Sequence, residues 1–108
     1  MTDIIEKHRS IGIVKGKELL FKHKDALRLL DDCERRGAIV VGMSFFKNHD
    51  GHVVEMVGND ADYSSLVEQE DAATKTVHEA KELLRDRLPD SADWVSFDLT
   101  EPARHRGR

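Results

Sequence analysis

One continuous pattern, from Gly16 to Gly51, restricts the fold of this chain more than any other feature. An amphipathic segment ends at a glycine, an apolar run follows at once, and an Asp-Gly pair closes that run. Apolar residues at helical spacing, followed by a short run rich in valine, isoleucine and phenylalanine, are typical of a helix that leads into a buried strand. The pattern therefore predicts a helix and a β-hairpin, and no catalytic or phosphate-binding motif interrupts it.

The helix of this pattern is predicted from about Lys24 to Arg36. Its apolar residues recur at i, i+3, i+4 and i+7 and so share one stripe: Ala26, Leu29, Leu30 and Cys33. Arginines in its last turn compensate the negative end of the helix dipole. Gly37 can adopt the left-handed conformation that commonly ends a helix.

The hairpin is predicted from the residues that follow. Ala38–Lys47 is expected to be a strand, and Gly42 in its middle indicates a bulge or a close approach of two backbone segments. The pair Asp50-Gly51 readily supplies the positive φ angles of a hairpin turn. His52–Val57 is therefore expected to return as the antiparallel partner.

The remaining elements predict an α+β fold with the order α-α-β-β-α-β. The other predicted segments are a short helix at Asp3–His8, a connector at Ser10–Lys17, a long helix at Glu68–Leu88 and a last strand at Trp94–Leu99. Such a set is typical of a small antiparallel sheet, here of about three strands, packed by helices on one side. We expect residues 1–100 to form a single domain, followed by a mobile basic tail at 101–108.

The composition of the chain indicates the cellular compartment in which the protein is expected. A single cysteine excludes an internal disulfide. Neither a charged-then-apolar leader nor an apolar run of about 18 residues is present, so we expect a cytoplasmic protein without a membrane contact. Oligomeric state cannot be read from the sequence.

Charge is distributed unevenly along the chain. The segment from Asn48 to Glu79 holds eight acidic residues against Lys75 alone, a net charge of −7, whereas the whole chain carries −4. A concentration of acids repels nucleic acid and favours a basic protein partner, although a charge run is often just a solvated face. The acids predicted to contact a partner are Asp60, Asp62, Glu68, Glu70 and Asp71.

Trp94 is a further candidate for partner binding. Alternation along the last strand places it with Ser96 and Asp98, on the face opposite Val95 and Phe97. It is expected either to cover a sheet edge or to be an exposed aromatic anchor for a partner.

The residues that could bind a metal or act in catalysis are better explained by structural roles. Three potential ligands, His49, Asp50 and His52, lie at the hairpin tip, but strand geometry is expected to put the two histidines on different faces. Cys33 falls on an apolar stripe, where a thiol behaves as a small hydrophobe. Several helix carboxylates are expected to face water: Asp31, Asp32, Glu34, Glu68, Glu70 and Asp71. We therefore predict no catalytic residue, no metal, no cofactor and no enzymatic activity.

The order of several segments resembles the bacterial family immunity protein 40. The segments that carry the resemblance are Asp3–Ile13, Lys24–Leu30, Arg36–Phe46, Asp50-Gly51, the helix with Val77 and Leu88, and the strand Val95–Leu99. Where the family has two adjacent glycines and an acid in its first strand, Val41–Ser44 keeps one glycine and no acid. No site residue is therefore transferred from the family.

The resemblance implies a function in bacterial competition. Proteins of this family are encoded beside polymorphic toxins, including those of contact-dependent growth inhibition, and each neutralises its own toxin by binding it. Many such toxins are nucleases with basic substrate grooves. The alternative from the residues alone is a small regulatory or adaptor protein that binds another partner; an enzyme would need a pocket with perturbed carboxylates or histidines.

Overall fold

The computed structural model describes residues 2–16, 18–58, 60–86 and 92–101, and its fold class is α+β. The helices are α1 (Thr2–Lys7), α2 (His23–Arg36) and α3 (Ala72–Asp86), with short 3₁₀ helices at Arg9–Ile11 and Ser64–Leu66. The strands are β1 (Ile13–Lys15), β2 (Glu18–Leu20), β3 (Ile39–His49), β4 (His52–Glu55), β5 (Ala61–Asp62) and β6 (Trp94–Thr100). The predicted helix end at Leu88 and the predicted tail after Glu101 lie outside the described residues.

The main sheet is built around β3 and is antiparallel throughout. β6 pairs with β3 from Ile39 to Phe46, so β4 and β5 must share the opposite edge of β3. β1 and β2 form a separate hairpin. That hairpin joins the sheet through Phe21, whose backbone exchanges two hydrogen bonds of 2.8 Å with Val95.

Helices α2 and α3 cover one face of this sheet. The apolar stripe of α2 and the buried residues of α3 pack against alternate residues of β3 and β6, among them Met43, Phe45 and Val95. Phe97 and Leu99 pack against the same core, which confirms the predicted alternation of the last strand. The residues of β3 and β6 that alternate with these core residues face away from the helices. We call the surface that they form the outer face of the sheet.

The predicted turn chemistry is confirmed. Asp50 and Gly51 have φ angles of 51° and 79°, as a two-residue hairpin turn requires, and Gly37 ends α2 with a φ of 73°. The predicted irregularity at Gly42 is also confirmed, because the pairing of β3 with β6 shifts register between Val40 and Gly42.

Backbone groups at this register shift, a β-bulge, form hydrogen bonds with partners outside β6. The Val40 amide donates to the Thr76 hydroxyl of α3 at 2.9 Å, and the Tyr63 amide donates to the Val41 carbonyl at 2.7 Å. Thr76 is fully buried. The bulge is thus the point where α3 and the chain after β5 are fixed to the central strand.

Two predicted segments were wrong. The expected connector at Ser10–Lys17 contains a 3₁₀ helix and β1, and the chain returns as β2; strands of three residues are too short to show a period. The long helix begins at Ala72 rather than Glu68, because the preceding residues form i,i+3 turns in which Gln69 bonds to Leu66 and Ala72 bonds to Gln69. None of the described helices is long and apolar enough to cross a membrane.

Candidate functional site

The outer face of the sheet carries a cleft of about 340 Å³. Its floor includes Ser44 and Ser96, which face each other across β3 and β6. Four carboxylate residues line it: Glu18, Asp60, Asp62 and Asp98. None of its described lining residues is basic. We call this arrangement the acidic cleft, and its chemistry suits the binding of cationic groups.

Glu18 holds the central position on this face. Its Oε1 atom accepts a hydrogen bond of 3.0 Å from the Ser96 hydroxyl, which fixes the β1–β2 hairpin over the sheet. Glu18 also lines two neighbouring clefts of about 240 and 540 Å³. The first has Leu19 and Phe97 in its wall, and the second has Phe46. Acidic and apolar surface therefore adjoin at one residue.

Asp60 and Asp62 are held at the cleft by β5, which follows Asp60 and includes Asp62. The Asp62 carboxylate accepts a 2.9 Å hydrogen bond from the Ser64 amide, and bonding to Ser64 lowers the pKa of Asp62. A Cβ atom on Gly42 would lie 2.7 Å from the Ala61 carbonyl oxygen. Because Gly42 has no side chain, β5 can approach β3 closely. Asp60 and Asp62 are thereby placed beside the sheet.

The structure separates the predicted acids into two groups. Asp60 and Asp62 line the acidic cleft, where they meet Glu18 and Asp98. The other three predicted acids are exposed in the turn before α3 and do not line this cleft: Glu68, Glu70 and Asp71. Asp71 forms an ion pair of 3.2 Å with Lys75.

Trp94 lies on the outer face, as alternation predicted, but it is half-buried. Its indole Nε1 donates to the Asn48 side-chain oxygen at 3.1 Å, and the Lys22 ammonium lies 5.7 Å from the ring centroid. Directly across the ladder is Phe46, which is only 1% exposed although it faces away from the helices. Trp94 thus lies opposite an aromatic neighbour and still presents surface on the outer face of the sheet.

The expectation that Asp31, Asp32 and Glu34 all face water was wrong for Asp32, which is 3% exposed. It sits at the edge of the apolar stripe against α1, where Lys7 and Arg35 compensate its charge and His8 bonds to it. Asp31 and Glu34 are exposed as expected. Both contact the Lys81 ammonium, at 2.7 and 2.8 Å, and so tie α3 to α2.

The reasoning about the hairpin histidines also needs correction. His49 and His52 are direct partners across the turn, and direct partners in an antiparallel ladder share a face. Within the described ranges, however, no group of three His, Cys, Asp or Glu side chains is arranged to hold a metal ion. That the protein works without a metal stays a prediction.

Cys33 is fully buried, and burial raises the pKa of its thiol from 9.0 to about 12. We expect a thiol reagent at about pH 8 to modify the folded protein on the order of a thousand times more slowly than the unfolded chain, because only the thiolate reacts. Absorbance of the released chromophore, with and without denaturant, measures both rates. Rapid labelling of the folded protein would identify Cys33 as a reactive group after all.

Comparisons with known proteins were made for the whole chain. No protein-family model, no curated protein and no solved structure matched it. The functional argument therefore rests on the residues of the acidic cleft and its surroundings.

Proposed function

We propose that this chain is an immunity protein that binds the toxic domain of a cognate antibacterial effector in the cytoplasm and neutralises it. The observation that carries the proposal is the acidic cleft, with four carboxylates and no basic residue among its described lining. The resemblance of the chain's sequence to the immunity protein 40 family supports the same class of function.

The chemistry of the cleft favours a protein partner with exposed arginine or lysine. Carboxylates at the rim of an interface attract such groups over a distance and raise the association rate. Guanidinium groups also pair with carboxylates through two parallel hydrogen bonds. A nuclease toxin presents basic groups of this kind where it binds phosphate, so an acidic surface can occupy the groove in place of the substrate.

Apolar surface next to the cleft supports a stable complex rather than a purely electrostatic encounter. Trp94 lies on the same face, and the half-buried Val53 and Val54 line the adjoining cleft of about 540 Å³. Interfaces gain most of their affinity from a few buried aromatic and apolar contacts, with charges at the rim.

The proposal is tested by co-expression with the toxin domain encoded beside this chain. We expect the two proteins to co-purify and the immunity protein to restore growth of cells that produce the toxin. Binding without restored growth would instead support a regulatory or adaptor role. Failure of both would refute the proposal for that toxin.

Charge reversal of the cleft should slow association with the toxin. The Asp60 and Asp98 side chains have no hydrogen bond or ion pair within the described residues, so Asp60→Lys with Asp98→Lys changes charge without removing a side-chain contact of that kind. We expect the association rate at low salt to fall by about tenfold or more and its salt dependence to flatten, because rim charges act mainly on the encounter. Stopped-flow fluorescence at several salt concentrations measures this.

The matched control changes the same number of charges outside the cleft. Glu68→Lys with Glu70→Lys reverses two exposed acids in the turn before α3. We expect a smaller effect from this pair. Equal effects of the two double variants would mean that overall charge rather than the cleft guides association.

A further inference from the structure

A second charged cleft, of about 300 Å³, lies between α1 and α2. It is built from residues that take no part in the acidic cleft. Its lining consists of Lys7, His8, Arg28, Asp31, Asp32 and Arg35. On α2, Arg28, Asp32 and Arg35 follow one another at i, i+4 and i+7, so they form a single stripe that faces the end of α1.

Buried Asp32 organises one wall of this cleft. The Lys7 ammonium lies 3.3 Å from its carboxylate, the His8 Nε2 atom lies 2.9 Å from it, and the Arg35 guanidinium pairs with its other oxygen. The Asp32 side chain is only 4% exposed, whereas those of Lys7 and Arg35 are 55% and 67% exposed. One buried carboxylate thus orients two cations whose remaining N–H groups are open to solvent.

The cleft has more positive than negative charge available to a ligand. Asp31 shares the Lys81 ammonium with Glu34, at 2.7 and 2.8 Å. Arg28 is exposed and has no ion pair among the residues that the structure describes. Lys7, Arg28 and Arg35 therefore set three positive charges against the carboxylates of Asp31 and Asp32, which leaves one net positive charge in the lining. The ion pairs with Asp32 explain why Lys7 and Arg35 lie in this cleft. They do not explain why Arg28 lies on the same stripe of α2.

The titration of His8 agrees with a positive environment. Burial is the main cause that lowers the pKa of His8, and the charge of Lys7 is the second. Arg35 acts in the same direction, and Asp25 opposes it. A neutral imidazole at this place donates its Nε2–H to Asp32, so His8 fixes the carboxylate without using up its charge.

We propose that this cleft binds a doubly charged oxyanion, a phosphate group, through Lys7, Arg28 and Arg35. The planar guanidinium groups of Arg28 and Arg35 can each donate two parallel hydrogen bonds to phosphate oxygens, and Lys7 supplies a point charge from the facing helix. The cleft is large enough for the phosphate of a small molecule such as a mononucleotide. The same chemistry suits free inorganic phosphate.

The test is an NMR titration of backbone amides with inorganic phosphate, at constant ionic strength and with sodium chloride as the reference. We expect saturable shifts at residues 7, 8, 28 and 35 that chloride does not produce. Arg28→Gln removes no described contact, so it should keep the fold and weaken phosphate binding at least fivefold. Lys15→Gln, on the exposed β1 strand, is the matched control and should leave it unchanged.

A second arm compares adenosine monophosphate with adenosine and with inorganic phosphate. Tighter binding of the monophosphate than of free phosphate would identify a phosphorylated small molecule as the ligand class, and equal binding would identify the phosphate group alone. The proposal is overturned if the shifts are the same in phosphate and chloride, or if Arg28→Gln and Lys15→Gln behave alike.

Discussion

Gly42→Ala is expected to lower the free energy of unfolding by about 2 kcal/mol, the usual range for a side chain forced into a filled space. The new Cβ would lie 2.7 Å from the Ala61 carbonyl oxygen, a backbone atom that cannot rotate away. Relief therefore requires β5 to move as a whole. Chemical denaturation, followed by fluorescence of Trp94 and by circular dichroism, measures the loss.

The same substitution should also weaken toxin binding, because β5 carries Asp62 and follows Asp60. We expect affinity per folded molecule to fall by about tenfold through displacement of these two carboxylates from the acidic cleft. Gly42→Val should enlarge both effects. Ser44→Ala, two residues further along β3 and also in the lining of the cleft, is the control that adds no atom. If Gly42→Ala were as stable as Ser44→Ala, the close approach of β5 would not constrain the fold.

The irregularity at Gly42 could be predicted because a short stretch of sequence indicates it. A glycine inside a strand pattern has few roles besides a bulge or a close backbone approach, and here it has both. The turn at Asp50-Gly51 and the end of α2 at Gly37 were predictable for the same reason. In each case the conformation is fixed by one or two residues and their neighbours in sequence.

Glu18 and Asp98 were missed as members of the acidic cleft because their roles depend on contacts distant in sequence. Glu18 reaches the cleft only because Phe21 pairs with Val95 and Ser96 bonds to the Glu18 carboxylate. The short strands β1 and β2 give no periodic signal that would have predicted this hairpin. The sequence therefore predicted an acidic surface, and only the structure shows that Glu18 and Asp98 join Asp60 and Asp62 in one cleft.

Asp32 shows a different limit of sequence reasoning. Its position at the edge of the α2 stripe is compatible with either water or a neighbouring helix, and the charge of an aspartate favours water. Asp32 is buried because Lys7, at the end of α1, and His8, just after it, lie against the carboxylate. A buried charge of this kind is predictable only when its compensating partners are known.

Trp94→Ala is expected to lower the free energy of unfolding by about 2 kcal/mol, less than the 3 to 5 kcal/mol or so of a fully buried tryptophan. Alternation left open whether Trp94 covers a sheet edge or is an exposed anchor for a partner. The structure shows a half-buried side chain that bonds to Asn48 and lies opposite Phe46, so its removal should cost stability. Thermal unfolding with Trp94→Phe as the control separates the two contributions: phenylalanine keeps an aromatic ring opposite Phe46 and loses the N–H donor to Asn48.

Affinity for the toxin should fall with the same substitution, by about 2 kcal/mol per folded molecule, since a large aromatic group beside an acidic rim has the character of a binding hot spot. Calorimetric titration at a temperature where both variants are folded measures this independently of stability. Trp94→Phe should recover part of the affinity, because an aromatic ring stays on the outer face opposite Phe46. If Trp94→Ala lost stability and kept its affinity, Trp94 would belong only to the fold, and the toxin would contact the acidic cleft from the side of β5.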